Sequence, residues 1–151
     1  MWVNVRFREA RREDVRDVLA LLRDDSLGAG REAQDLDIYL AAFDAMAAEA
    51  GNHLIVGVAG NRVVATYQIT FISGLSLTAA RRAQVEAVRV AAPLRGQRIG
   101  EALMHDAEAR ARTAGCTLIQ LTTNKSRDRA HAFYRRLGFT ASHEGFKRKL
   151  D

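Results

Sequence analysis

Residues 53–72 read HLIVGVA-GN-RVVATYQITFI, two strand-like runs separated only by Gly60-Asn61. A two-residue link of this kind closes an antiparallel hairpin, and both residues tolerate the positive φ that such turns use. Downstream, AQVEAVRVAA reads as a strand, LRGQRIG as a turn, and residues 99–114 as a helix with Ile99, Leu103, Ala107 and Ala111 on one stripe, stopped by Gly115. CTLIQLTTN follows as a short, nearly continuous apolar strand, expected at a central parallel position after the helical crossover. An antiparallel hairpin followed by a strand-turn-helix-strand step predicts an α/β chain with a mixed sheet and helices on both faces.

The remaining elements fit around that frame. Val3, Val5 and Phe7 alternate with polar residues and predict a first strand, while Val15, Val18, Leu19 and Leu22 predict a helix over about 12–23. Leu36, Tyr39, Leu40, Phe43 and Met46/Ala47 mark a second helix ending at Gly51, and Ala130, Phe133, Tyr134 and Leu137 mark a last one, stopped by Gly138. FTASHEGFKRKL supplies one or two closing strands. The predicted order is β-α-α-β-β-β-α-β-α-β(β), with 6–7 strands and about four helices, and 151 residues suit a single domain spanning 1–151. In the strand 83–92, simple alternation sets Gln84, Glu86, Val88 and Val90 on one face and Val85, Ala87, Arg89 and Ala91 on the other, so a polar pair interrupts an apolar strand.

Charge divides the chain in two. The total of 23 bases and 18 acids gives +5, and 20 of the bases are Arg. Residues 1–50 carry a net −4 and residues 81–151 a net +8, which points to an anion site in the second half rather than a nucleic-acid tail or stripe. One cysteine, Cys116, makes neither a disulfide nor a thiolate metal site, and a reducing cytoplasm is the expected compartment. His53, His105, His131 and His143 have no metal-ligand spacing, so no metal is expected. No segment reaches the ~18 apolar residues that cross a bilayer, so no membrane partner is expected.

The strongest local signal is Arg95-Gly96-Gln97-Arg98-Ile99-Gly100 at the strand-to-helix turn. Helix-start N–H groups lack intrahelical acceptors and suit a phosphate, while an ordinary surface turn is the plainer alternative. With Val88-Arg89-Val90 before it, this segment resembles the central motif of the GNAT superfamily of acetyl-CoA-dependent N-acetyltransferases, with Arg98 standing where that family usually has its middle glycine. Phe133-Tyr134-Arg135-Arg136-Leu137-Gly138-Phe139 is similar to the family's second motif. Arg127 replaces the Asn that the family carries seven residues before the Tyr, and Asn124 is the nearby substitute.

The resemblance implies a GNAT-like fold and acetyl-CoA as co-substrate, held by Val88, Arg89, Val90, Arg95, Gly96, Gln97, Arg98, Ile99, Gly100, Asn124 and Arg127. In it Val88 polarises the thioester carbonyl, Val90 holds the pantetheine arm, and Tyr134 is the general acid; spacing alone favours a core aromatic at Tyr134, and the resemblance reverses that reading. A protonated amine needs a base before it attacks a thioester. Glu86, the only acid between Glu49 and Glu101, is the candidate, and a salt bridge to Arg82 or Arg89 is its alternative. Asp24, Asp25, Glu32, Asp35 and Asp37 would wall the acceptor site and suit a small cationic primary amine, or form a solvated loop. A non-catalytic acyl-CoA-binding or sensor module is the rival function. Trp2, Tyr39 and Phe71 belong either to the core or to a homodimer surface.

Overall fold

The computed structural model describes residues 4–24 and 35–151. Trp2, Val3, Asp25, Ser26 and Glu32 lie outside the described residues. Five strands run in the order β1 (Arg6–Glu9), β2 (Asn52–Ala59), β3 (Arg62–Ile72), β4 (Arg82–Val90) and β5 (Leu118–Leu121). The helices of nine or more described residues are α1 (Val15–Arg23), α2 (Leu36–Ala48), α3 (Ile99–Thr113) and α4 (Asp128–Arg136), with a four-residue helical turn at Ser76–Ala79. The chain divides into one compact unit through Gln120 and a second from Leu121 to Asp151.

The hairpin forms as the sequence dictates. Ala59 pairs with Arg62 across Gly60-Asn61, and Gly60 alone of the two takes a positive φ, +61°. β1–β2, β2–β3 and β3–β4 are all antiparallel. Val56 lies opposite Thr66 and so shares its face, while Ala65 and Tyr67 point to the other. Val18 of α1 packs with Val56 and Val58, covering the first face. The second face holds the Tyr67 hydroxyl, which donates to Asp106 Oδ2 on α3 at 2.6 Å. The stripe predicted for α3 is buried throughout: Ile99, Leu103, Ala107 and Ala111. On α2 the half-buried residues are Leu36, Tyr39, Leu40, Phe43 and Met46, and Ala47 is exposed. Gly57 is required by packing, since a Cβ there would stand 2.8 Å from the Phe7 ring.

Two expectations are corrected. The apolar run at 118–121 is an edge strand rather than a central one, because order β1-β2-β3-β4-β5 leaves it last. No strand forms over residues 139–150, of which 140–150 are exposed, Phe146 and Leu150 among them, so the described residues form a sheet of five strands rather than 6–7. A strand needs a hydrogen-bonding neighbour, and none of the described strands pairs with this segment.

The start of α1 is fixed by charge. Asp14 is buried, accepts two bonds from Arg8 at 2.7 and 3.1 Å, and takes the Arg11 N–H at 2.7 Å. The Arg8 hydrogen bond, opposed by burial and helped by Arg11, holds the Asp14 carboxyl below the usual carboxylate range. A depressed carboxylate stabilises the fold above its unfolded-state pKa of about 4 and loses that contribution as pH falls through the folded value. Asp14→Asn is expected to cost about 1–3 kcal/mol at neutral pH. In urea melts the gap to the parent should close below that folded value and stay constant from pH 6 to 8.

Candidate active site

The site in the first unit is built on β4. Gln84 lies opposite Thr70, and Glu86 opposite Gln68, but the next pair is Arg89 with Thr66. Three residues of β4 thus span two of β3, a bulge marked by Ala87 at φ +53°. The extra residue is left out of the ladder and the local hydrogen bonding is interrupted. The bulge also changes the phase of the strand. Glu86 shares a face with Arg89, while Val90, opposite Ala65, falls on the side of Val85; the single face expected for Glu86, Val88 and Val90 is therefore corrected. Glu86 is exposed and, among the described residues, has no ion-pair partner, so the bridges to Arg82 or Arg89 are not formed. Arg89 instead turns a guanidinium N–H to the Val88 carbonyl at 2.9 Å.

The turn before α3 has a definite construction. Gly96 takes φ +84° with open space where a Cβ would stand. Arg98 is left-handed at φ +62°, the conformation glycine adopts freely and other residues adopt at a cost of about 1–2 kcal/mol. The first helical bond runs from Ala102 N–H to the Arg98 carbonyl at 3.1 Å, leaving the N–H groups of Ile99, Gly100 and Glu101 without an i−4 helical acceptor. Gln97 and Arg98 are exposed beside them, whereas the Ile99 side chain is core. Arg95 braces the turn, donating to the Val90 carbonyl at 3.2 Å and the Asp24 carbonyl at 3.4 Å. Open N–H groups, a glycine without obstruction and an exposed guanidinium fit a pyrophosphate.

In the second unit, Asn124, Arg127 and Tyr134 sit on or before α4. The Asn124 side-chain carbonyl accepts from Ser126 N–H at 2.9 Å and its hydroxyl at 2.7 Å, and its backbone carbonyl accepts from Arg127 N–H at 3.0 Å. Asn124 thereby shapes the approach to the helix, where residues 126–130 line an open depression of ≈ 510 Å³. Tyr134 is half-buried, edge-on to Phe133 at 5.1 Å and Phe139 at 5.8 Å. Asp35 caps α2 by accepting the Asp37 N–H at 2.9 Å, and the Asp24 carboxylate lies 3.9 Å from Arg95, so two of the five acids have structural partners.

Sequence reading passed over Asn52, Gln68 and Thr70, which stand with Gln84 and Glu86 at one end of the α1 face. Their signal was polar residues at period two in apolar strands. It also passed over Tyr67, Asp106 and Arg110, a hydrogen-bonded triad that joins β3 to α3.

The family described as Acetyltransferase (GNAT) family matches over residues 15–139. A stretch of 67 residues is 43% identical to the aminoalkylphosphonate N-acetyltransferase of Salmonella typhimurium; it takes in 44% of this chain and 44% of that protein, so less than half of the relative is spanned. A transcriptional regulator from Bacillus halodurans C-125 superposes with TM-score 0.93 at 41% identity, covering 97% of this chain and 100% of its own. A predicted acetyltransferase of Clostridium acetobutylicum, crystallised with acetyl-CoA, superposes with TM-score 0.76 at 17% identity over 97% of each chain, which speaks to the fold alone.

Proposed function

From a chain that belongs to the GNAT family of acetyltransferases, and so to a family that uses acetyl-CoA, we propose direct transfer of an acetyl group to the primary amine of a small acceptor. The observation that carries this reading is the interrupted β4 ladder with exposed Glu86 beside the bulge, on the strand that leads into the glycine turn of α3. Glu86 takes the amine proton. The Val88 N–H polarises the acetyl carbonyl and the Val90 N–H steadies the pantetheine arm, a small oxyanion site made of backbone. The Gly96–Gly100 N–H groups and Arg98 hold the pyrophosphate, and Asn124 and Arg127 also serve the cofactor. As the carbon–nitrogen bond forms and the carbon–sulfur bond breaks, Tyr134 gives its hydroxyl proton to the departing thiolate. We take the whole chain as one functional domain for this purpose.

The acceptor class divides two ways. The acids of residues 24–37 favour a basic amine, whereas the Salmonella relative is named for an amine with an anionic phosphonate. A panel of a polyamine, a neutral amine and an aminoalkylphosphonate separates these, and a faster rate with the phosphonate sinks the cationic assignment. A non-catalytic acyl-CoA sensor is the second reading, favoured by the Bacillus protein's description as a transcriptional regulator. Thiol release from acetyl-CoA with the panel tests both. Turnover is expected, and Tyr134→Phe is expected to lower kcat about 10²-fold; acetyl-CoA binding without turnover of any amine would favour the sensor.

A further inference from the structure

Beside Glu86 the sheet carries a chain of side-chain amides whose orientation is fixed by one carboxylate. Glu49, just after α2, can only accept when ionised. The Asn52 amide N–H donates to Glu49 Oε2 at 2.8 Å, which turns the Asn52 carbonyl toward β3. That carbonyl accepts from Gln68 Nε2 at 2.9 Å, and from the Thr70 hydroxyl at 3.5 Å. Gln68 has therefore spent its NH₂ side on Asn52. Its own carbonyl, Oε1, is the end of the chain, and no described residue donates to it.

Gln68 is the residue directly opposite Glu86 in the β3–β4 register. Directly opposed residues of antiparallel strands stand on one face with Cβ atoms about 4.5–5.5 Å apart. Two acceptors, one neutral and one charged, are thus paired on a face where α1 packs through Val18 against Val56 and Val58, with Leu54 and Val63 beside them. Gln68 is half-buried and Glu86 exposed, so the pair is open to a ligand. Two acceptors side by side need a group with at least two N–H donors, and an aliphatic ammonium has three. A hydroxyl, with one donor, leaves one acceptor unmatched, and a carboxylate, with none, leaves both.

We propose that Gln68 is an acceptor-binding residue of this enzyme: its carbonyl holds an N–H of the substrate amine while Glu86 removes another, and Asn52 and Glu49 position that carbonyl. The proton lost to Glu86 frees the nitrogen lone pair, and the N–H held by Gln68 fixes the direction in which it points. This rests on the acyl-transfer reading above and adds to it the group that orients the nucleophile. The neutral amide is suited to the task because it holds the amine before and after deprotonation, whereas a second carboxylate would compete for the proton.

Steady-state kinetics with the best amine of the panel tests the assignment. Gln68→Met keeps the side-chain volume and removes the acceptor; the amine KM should rise about 10-fold or more, with the acetyl-CoA KM within 2-fold of the parent. Asn52→Leu leaves Gln68 in place but unanchored. It should raise the same constant by a smaller factor and add nothing when combined with Gln68→Met, a coupling that general destabilisation would not produce. An unchanged amine KM in Gln68→Met overturns the proposal, and additive effects in the double variant overturn the role of Asn52. A parent protein that binds acetyl-CoA yet acetylates no amine overturns the acyl-transfer reading itself. Should Gln68→Met melt early, an unchanged amine KM in a stably folded Asn52→Leu overturns the anchored-amide arrangement.

Discussion

Glu86→Gln should lower kcat for amine acetylation about 10²- to 10⁴-fold, the span that general-base removal typically costs. The substitution is isosteric, and Glu86 is exposed with no ion-pair partner among the described residues, so no buried partner is left uncompensated. Stability should therefore stay within about 0.5 kcal/mol of the parent, as for surface substitutions generally. The diagnostic is the pH profile. An alkylamine with a pKa near ~10 is almost wholly protonated at neutrality. Without the carboxylate, the residual rate depends on the free amine already in solution and should climb about tenfold per pH unit between pH 6 and 9. The parent, which removes the proton on the enzyme, should depend on pH less steeply over that range. A Glu86→Gln rate within threefold of the parent, with the same profile, would remove Glu86 as the base.

The elements that organise this site differ in how far the sequence announced them. The Gly60-Asn61 hairpin was legible because a two-residue link admits one topology, and α3 because its buried stripe repeats at helical period over fifteen residues. The bulge at Ala87 was not. Nothing in the string VEAVRV marks the residue that takes φ +53°, and alternation carried through it assigned Val88 and Val90 to the wrong side relative to Glu86. The glycine turn was legible as a turn, while the left-handed φ of Arg98 shows that the backbone keeps the shape a glycine would take even where the side chain has changed. Gln68 was visible only as a polar residue in an apolar strand. Its role depends on Asn52, 16 residues away, and on the direction in which an amide is turned, which no local pattern encodes.

The second large effect is structural. Asp106 Oδ2 accepts from the Tyr67 hydroxyl at 2.6 Å and from Arg110 Nε at 2.8 Å, and Arg110 reaches on to the Phe7 carbonyl at 3.3 Å, so one carboxylate joins β1, β3 and α3. Tyr67 is wholly buried, and that burial, with Asp106 beside it, pushes its phenol far above the ordinary range, so the hydroxyl stays a donor. Burial is the strongest single influence and works against the Arg110 charge, but the hydrogen bond and charge of Asp106, with Tyr67 adding to them, together outweigh it and raise the Arg110 pKa. Asp106→Ala removes the acceptor of the buried Tyr67 hydroxyl and leaves Arg110, 30% exposed, to be rehydrated in part. The cost expected is about 2–4 kcal/mol, from one unsatisfied buried donor and one lost charged bond. Tyr67→Phe deletes the donor as well as the bond, leaving Asp106 its Arg110 partner, and should cost only about 1 kcal/mol. Urea melts read both: a lower midpoint at unchanged slope for Asp106→Ala, with Tyr67→Phe close to the parent. If the two variants lose the same stability, the Tyr67–Asp106 bond accounts for the whole loss, the Arg110 bond adds nothing, and the carboxylate is not the hub.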